Sequence, residues 1–314
     1  MPLPAHTREQ EKKEQEVKGM KAKSGTRKRI TDLDVELTNR CNASCRICPR
    51  GEMKRPLGLM TEDTFETLRS RVEASSLKTI IFSGFGEPLL HPMLPQYVSG
   101  LKAVFPGVIQ VNTNAALLSR DLARDLVASG LDKLNVSYNG PEQEEYEAVM
   151  RGMRFKTLEE NIAGFIQARG RRVKPRLSLQ CSMPEAMKTK KRLMRIASML
   201  DVETVKIYGF NNRAGNLEGA GESPGIPLMD RFCCSVLFVA WDGTLYPCSH
   251  DIKGRQPLGH VLDFAFDEIE KEDYPMCRGC TVCDEEGMKE FKIWSAVVRR
   301  RLRRILPRER RCKR

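Results

Sequence analysis

Three cysteines, Cys41, Cys45 and Cys48, fall within eight residues of one another in the stretch ELTNRCNASCRICPRGEM, directly after a short apolar run. Thiols crowded in this way suit metal ions, iron–sulfur clusters or redox exchange. Structural zinc wants four ligands and favours paired C-x2-C units. This triplet has no fourth cysteine or histidine nearby. Three thiolates on a four-iron cluster leave one iron open to an exchangeable ligand, and an open iron implies chemistry.

A second constellation lies towards the C-terminus. The segment FCCSVLFVAWDGTLYPCSHD carries Cys233, Cys234 and Cys248, and PMCRGCTVCDE carries Cys277, Cys280 and Cys283. Between Cys234 and Cys248 the alternating residues and the Asp242-Gly243 pair predict a β-hairpin. A cysteine-bearing hairpin followed by C-x2-C can build either a second cluster site or a zinc ribbon. Cys181, inside a predicted strand, reads as a small packed apolar residue.

The elements that position these thiols are short apolar strands alternating with amphipathic helices. Strands are predicted at 33–38, 79–84, 108–113, 133–138, 176–182 and 204–210. Thr61 and Ser119 read as helix N-caps, and Gly130 as a C-terminal glycine. Six such repeats predict a parallel sheet with outer helices, with ligands bound at the C-terminal strand ends. In the fifth strand Ser178, Gln180 and Ser182 share one face, an unusual polar face for a buried strand.

The composition, 40% hydrophobic and 30% charged, is that of a globular protein, with no run near the roughly 20 apolar residues that span a bilayer. The polar N-terminus lacks the apolar core of a secretory signal, so a reducing, cytoplasmic setting is expected. The net charge of +12 sits at the ends, because 1–30 and 299–314 are basic while the body is nearly neutral. A broad phosphate-binding face on the body is therefore not expected. The arginine-rich 299–314 reads either as a docking element for an anionic membrane or nucleic acid, or as a final helix packed by its apolar stripe.

The Cys41-x3-Cys45-x-Ile47-Cys48 pattern, with Ile47 as the apolar residue, resembles the hallmark of the radical S-adenosylmethionine (SAM) superfamily. The segment SGFGEP (83–88) looks like that family's GGEP motif, with Phe85 as a departure. VNTNA resembles its TNG element, and VSYNG its ribose-contact strand. The resemblance implies an α/β fold, a partial (β/α)6 TIM-like barrel, with a small C-terminal cysteine-rich β-hairpin/helix extension. It implies a [4Fe–4S] cluster with an open iron on Cys41, Cys45 and Cys48, where SAM is cleaved to a 5′-deoxyadenosyl radical that abstracts hydrogen from a substrate. SAM contacts are expected from Gly84, Gly86, Glu87, Pro88, Ile47, Asn114, Ser137 and Gln180.

The hairpin unit is similar to the family's SPASM or shorter twitch extension, which implies one auxiliary [4Fe–4S] cluster on Cys233, Cys248, Cys277 and Cys280. Cys234 is an alternative to Cys233, and Cys283 an alternative ligand or a bystander. Expected segments are a basic leader (1–30), the radical SAM core (31–228), the auxiliary-cluster unit (229–288) and a basic amphipathic tail (289–314). A reductant such as flavodoxin or ferredoxin is implied. So few residues precede the first strand that a leader-peptide-binding domain is not expected there. A small polar metabolite is therefore favoured over a peptide or protein substrate.

Overall fold

The computed structural model describes residues 28–182, 186–208, 235–271 and 288–292. Six parallel strands form its centre: β1 (Asp32–Val35), β2 (Thr79–Phe82), β3 (Val108–Thr113), β4 (Lys133–Ser137), β5 (Arg176–Ser182) and β6 (Thr204–Tyr208). They pair in chain order, each with the next. Helices α1 (Glu62–Glu73), α2 (Leu94–Val104), α3 (Arg120–Ala128), α4 (Gln143–Val149), α5 (Phe155–Arg169) and α6 (Lys190–Met199) lie between them.

The sheet does not close. On one side β7 (Val236–Val239) pairs parallel with β1, and β8 (Thr244–Tyr246) and β9 (Gly259–His260) follow antiparallel. On the other, β10 (Met288–Lys292) pairs antiparallel with β6, giving this sheet ten strands among the described residues. The hairpin read from Asp242-Gly243 is the β7–β8 turn. Gly243 takes the left-handed φ of +85° that such a turn needs, and Thr244 N–H donates to Asp242 Oδ1. Its first strand extends the central sheet.

Strand alternation separates two environments. Leu33, Val35, Ile80, Phe82, Ile109, Val111, Leu134, Val136, Leu177, Leu179, Val205 and Ile207 are buried in one core with helix residues such as Phe65, Leu68, Leu126, Ile162 and Phe165. Fully burying each such side chain contributes about 1.5–3 kcal/mol. Cys181 joins this core, as its strand position predicts. The opposite face is largely polar, with Ile81 and Val108 as apolar exceptions. In register across it stand Asn112, Asn135 and Ser178, then Ser137, Gln180 and Lys206.

The predicted caps form. Thr61 accepts from Thr64 N–H and Ser119 from Leu122 N–H, each at 3.2 Å. Gly130 follows α3 at φ +86°. Arg169 at the end of α5 is wholly buried and ion-paired to Glu203 at 2.6 Å, near the starts of β5 and β6. No described helix is long and apolar enough to cross a membrane.

Candidate active site

The cysteine loop leaves the C-terminal end of β1, and the chain around it is tied down from three sides. From the end of α4 and the turn after it, Val149 and Arg151 carbonyls accept Arg46 N–H and Ser44 N–H. From the β2 turn, Glu87 N–H donates to Arg40 O at 2.9 Å. From β3, Asn114 Nδ2 donates to Asn42 Oδ1 at 2.8 Å. The loop's own Cys48 N–H bonds Cys45 O, and Pro49 then opens a short 3-10 turn over Pro49–Glu52.

Cys41, Cys45 and Cys48 are all half-buried, as is Ile47. Ala43 N–H donates to Cys41 Sγ at 3.4 Å, and Cys45 Sγ lies 3.5 Å from Met150 Sδ. Burial pushes the Cys45 thiol up to about 12, with Cys48 and Cys41 adding to the effect, and burial also raises Cys41. A coordinated iron reverses this, because a ligating thiol is deprotonated outright. Among the described residues, no three His, Cys, Asp or Glu side chains converge on a single-ion site. Tetrahedral zinc would draw thiolates to within about 3.8 Å of one another. Three half-buried thiols on one loop match in number the three protein ligands of a four-iron cluster with one open iron.

The Gly84–Pro88 turn lies beside this loop. Gly84 sits at φ +101°, with Glu36 against it. A Cβ on Gly86 would lie 1.9 Å from Thr38 O, so the turn and the cysteine strand touch backbone to backbone. Pro88 is buried and begins the next short turn. Glu87 is buried too, its Oε1 accepting from Thr113 Oγ1 (2.6 Å) and Leu89 N–H (3.1 Å), and its Oε2 from Asn114 N–H (2.8 Å). Burial raises its pKa, against these three donors. A carboxylate has about four acceptor sites, so these bonds leave one on Oε2.

Asn114 is thus a brace. Its backbone holds Glu87, its Nδ2 holds the cysteine loop, and its Oδ1 accepts Ala116 N–H. Ser137 and Gln180 stand side by side on the polar face, half-buried and paired in register. Cys248 follows β8, with His250 N–H donating to its Sγ at 3.4 Å. Cys233, Cys277 and Cys280, together with Cys234, Cys283 and 299–314, lie outside the described residues.

Sequence reasoning missed Glu36, Arg55 and Asn39. Glu36 is fully buried at the end of β1 in a bidentate pair with Arg55 (2.7 and 3.1 Å), and also accepts Phe85 N–H at 3.1 Å. Asn39 bonds Pro56 O and Gly58 N–H, folding 53–60 back along the strand. The available signal was a charge inside an apolar strand, which is rare unless paired.

Residues 35–179 match the radical SAM superfamily. The chain is 29% identical over 149 residues to a probable GTP 3′,8-cyclase of Methanothermobacter marburgensis, covering 48% of each chain. It is 33% identical over 132 residues to the GTP 3′,8-cyclase of Chlorobaculum tepidum, covering 41% of this chain and 38% of that one. The chain thus spans less than half the length of these relatives. The structure of anSMEcpe with bound AdoMet superposes with a TM-score of 0.58 at 16% identity, over 75% of this chain and 78% of that one. That likeness shows the fold, an open parallel-rich α/β partial barrel. The superfamily implies a [4Fe–4S] cluster, SAM and a substrate, and the match over residues 35–179, with the GTP 3′,8-cyclase relatives, supports a radical SAM superfamily enzyme.

Proposed function

We propose that Cys41, Cys45 and Cys48 anchor a [4Fe–4S] cluster whose fourth iron takes SAM, and that the substrate is a small polar metabolite. The observation that carries this reading is the bonding of the cysteine loop to the Gly84–Pro88 turn, directly through Glu87 N–H to Arg40 O and by way of Asn114, which bonds both Asn42 and Glu87. With the cluster bound, the chemistry supplied is one-electron cleavage of the SAM C5′–S bond, leaving methionine and a 5′-deoxyadenosyl radical that takes hydrogen from substrate.

The chain's own residues orient the reactants. Glu87 Oε2 has an acceptor site for the SAM ammonium, Gly84 and Gly86 let the backbone come close, and Ser137 with Gln180 offers hydroxyl and amide groups to the ribose. On the polar face Asn112, Asn135, Ser178 and Ser182 supply hydrogen bonds without charge. Of the residues on this face of the six central strands, Lys206 is the one cation in their C-terminal halves. The triphosphate of GTP, which names the relatives' reaction, calls for several cations. A hydroxylated or amino-bearing neutral molecule matches these groups better. A peptide amide offers similar bonds and is the second reading.

Cys248, with Cys233, Cys277 and Cys280, is assigned to one auxiliary cluster that passes electrons, and a flavodoxin or ferredoxin supplies the reducing electron. The test is anaerobic reconstitution followed by reduction with SAM. The protein should release 5′-deoxyadenosine, and the Cys41→Ala/Cys45→Ala/Cys48→Ala variant should release none. Cleavage by the triple variant would remove the assignment.

A further inference from the structure

The Glu36–Arg55 pair is largely buried, with the Glu36 side chain inaccessible and that of Arg55 8% exposed. Burying two charges is costly unless geometry and further hydrogen bonds offset it. Here the guanidinium is bidentate, and the carboxylate has a third donor, Phe85 N–H in the middle of the Gly84–Pro88 turn. Gly84 closes the contact, since a Cβ there would meet Glu36 Cβ at 2.9 Å and Oε2 at 3.0 Å. One carboxylate therefore fixes where the turn begins.

Arg55 is itself held by the β7–β8 hairpin. Its guanidinium carbon lies 5.6 Å from the Phe238 ring centre and 5.7 Å from that of Tyr246, both rings being buried. Those distances suit cation–π attraction, which strengthens when water is excluded. At the hairpin's tip, Trp241 Nε1 donates to Pro56 O, and its ring fills the space over Gly58. An unbroken chain of contacts thus runs from the hairpin through Arg55 and Glu36 to Phe85, two residues before Glu87.

We propose that Glu36 and Arg55 are positioning residues for the turn that receives SAM, and that the hairpin bearing Cys248 sets the turn's affinity for SAM through them. The proposal rests on the assignment of Gly84–Pro88 to SAM. A planar bidentate fork fixes the carboxylate in a way a single ammonium does not. Displacing the turn by even about 1 Å is enough to cost roughly a hundredfold in function.

The test uses the full-length holoprotein with its cluster oxidised, so that no turnover occurs, and measures SAM binding by equilibrium dialysis beside iron content and melting temperature. Arg55→Lys should keep the iron content of the parent and raise the SAM Kd at least tenfold. The comparison is Arg169→Lys, which loosens another buried ion pair remote from the turn. It should lower the melting temperature and leave Kd within twofold. If Arg55→Lys lowers the melting temperature but leaves Kd within twofold, the pair is only a structural brace and the proposal fails. Should Arg55→Lys not fold, Phe238→Leu decides, since it keeps the ion pair and removes one ring face. A rise in Kd of threefold or more supports the proposal, and an unchanged Kd overturns it. Failure of the SAM assignment looks different, because the unaltered holoprotein then binds no SAM.

Discussion

A methyl group on Gly86 has nowhere to go. Its Cβ would lie 1.9 Å from Thr38 O, 2.6 Å from Thr38 C and 2.7 Å from Arg40 O, all backbone atoms. Ordinary contact begins near 3.4 Å, so turn and cysteine strand must part by about 1.5 Å. Overpacking of this kind costs about 1–3 kcal/mol, and backbone against backbone belongs at the upper end. At roughly 2–4 °C per kcal/mol, Gly86→Ala should melt about 6–12 °C below the parent. The same displacement separates Glu87 from the cysteine loop, so 5′-deoxyadenosine release should fall on the order of a hundredfold. Gly100→Ala is the control, because its added Cβ finds nothing closer than 3.8 Å inside α2. It should be neutral or stabilise by about 0.5–1 kcal/mol. Differential scanning calorimetry and chromatography of the SAM products check both variants. A Gly86→Ala protein that melts and cleaves SAM like the parent would refute this packing of turn against loop.

Other outcomes follow from single contacts. Arg169→Ala leaves Glu203 without its buried partner and should lose about 3–5 kcal/mol in urea denaturation, with SAM cleavage retained in the surviving folded protein; a loss under 1 kcal/mol would contradict the pairing. Burial alone would raise Asp132, but Lys174, Ile109 N–H and Lys102 together hold it below the usual carboxylate range. Its stabilisation is therefore complete above the unfolded value of about 3.9 and lost as pH falls through the lower folded value. Urea midpoints should drop more steeply between pH 5 and 3 for the parent than for Asp132→Asn, and equal slopes would contradict this. Cys248→Ala should lower iron from roughly eight to four per chain while SAM cleavage continues. Loss of cleavage would place Cys248 in the SAM site instead.

Much of this arrangement is written in local sequence. The strands Val108–Thr113 and Arg176–Ser182 match their predicted limits, because turn residues and polar caps bound them closely. Thr61, Ser119 and the Asp242-Gly243 turn act within a few residues of themselves, which is why short-range reasoning found them. The contacts that assemble the site are long-range. Asn42 meets Asn114 across 72 residues, and Arg55 is enclosed by rings nearly two hundred residues away. β7 joins β1 rather than standing apart, a pairing that no local pattern announces. Asn114 was legible as important, but its work as a brace depends on a partner only the fold supplies.

The most direct measurement is the electron paramagnetic resonance spectrum of the reduced, reconstituted protein with and without SAM. A cluster held by Cys41, Cys45 and Cys48 with one open iron predicts a changed signal when SAM is added, and none of that change in the triple alanine variant. Identical spectra with and without SAM would contradict the account.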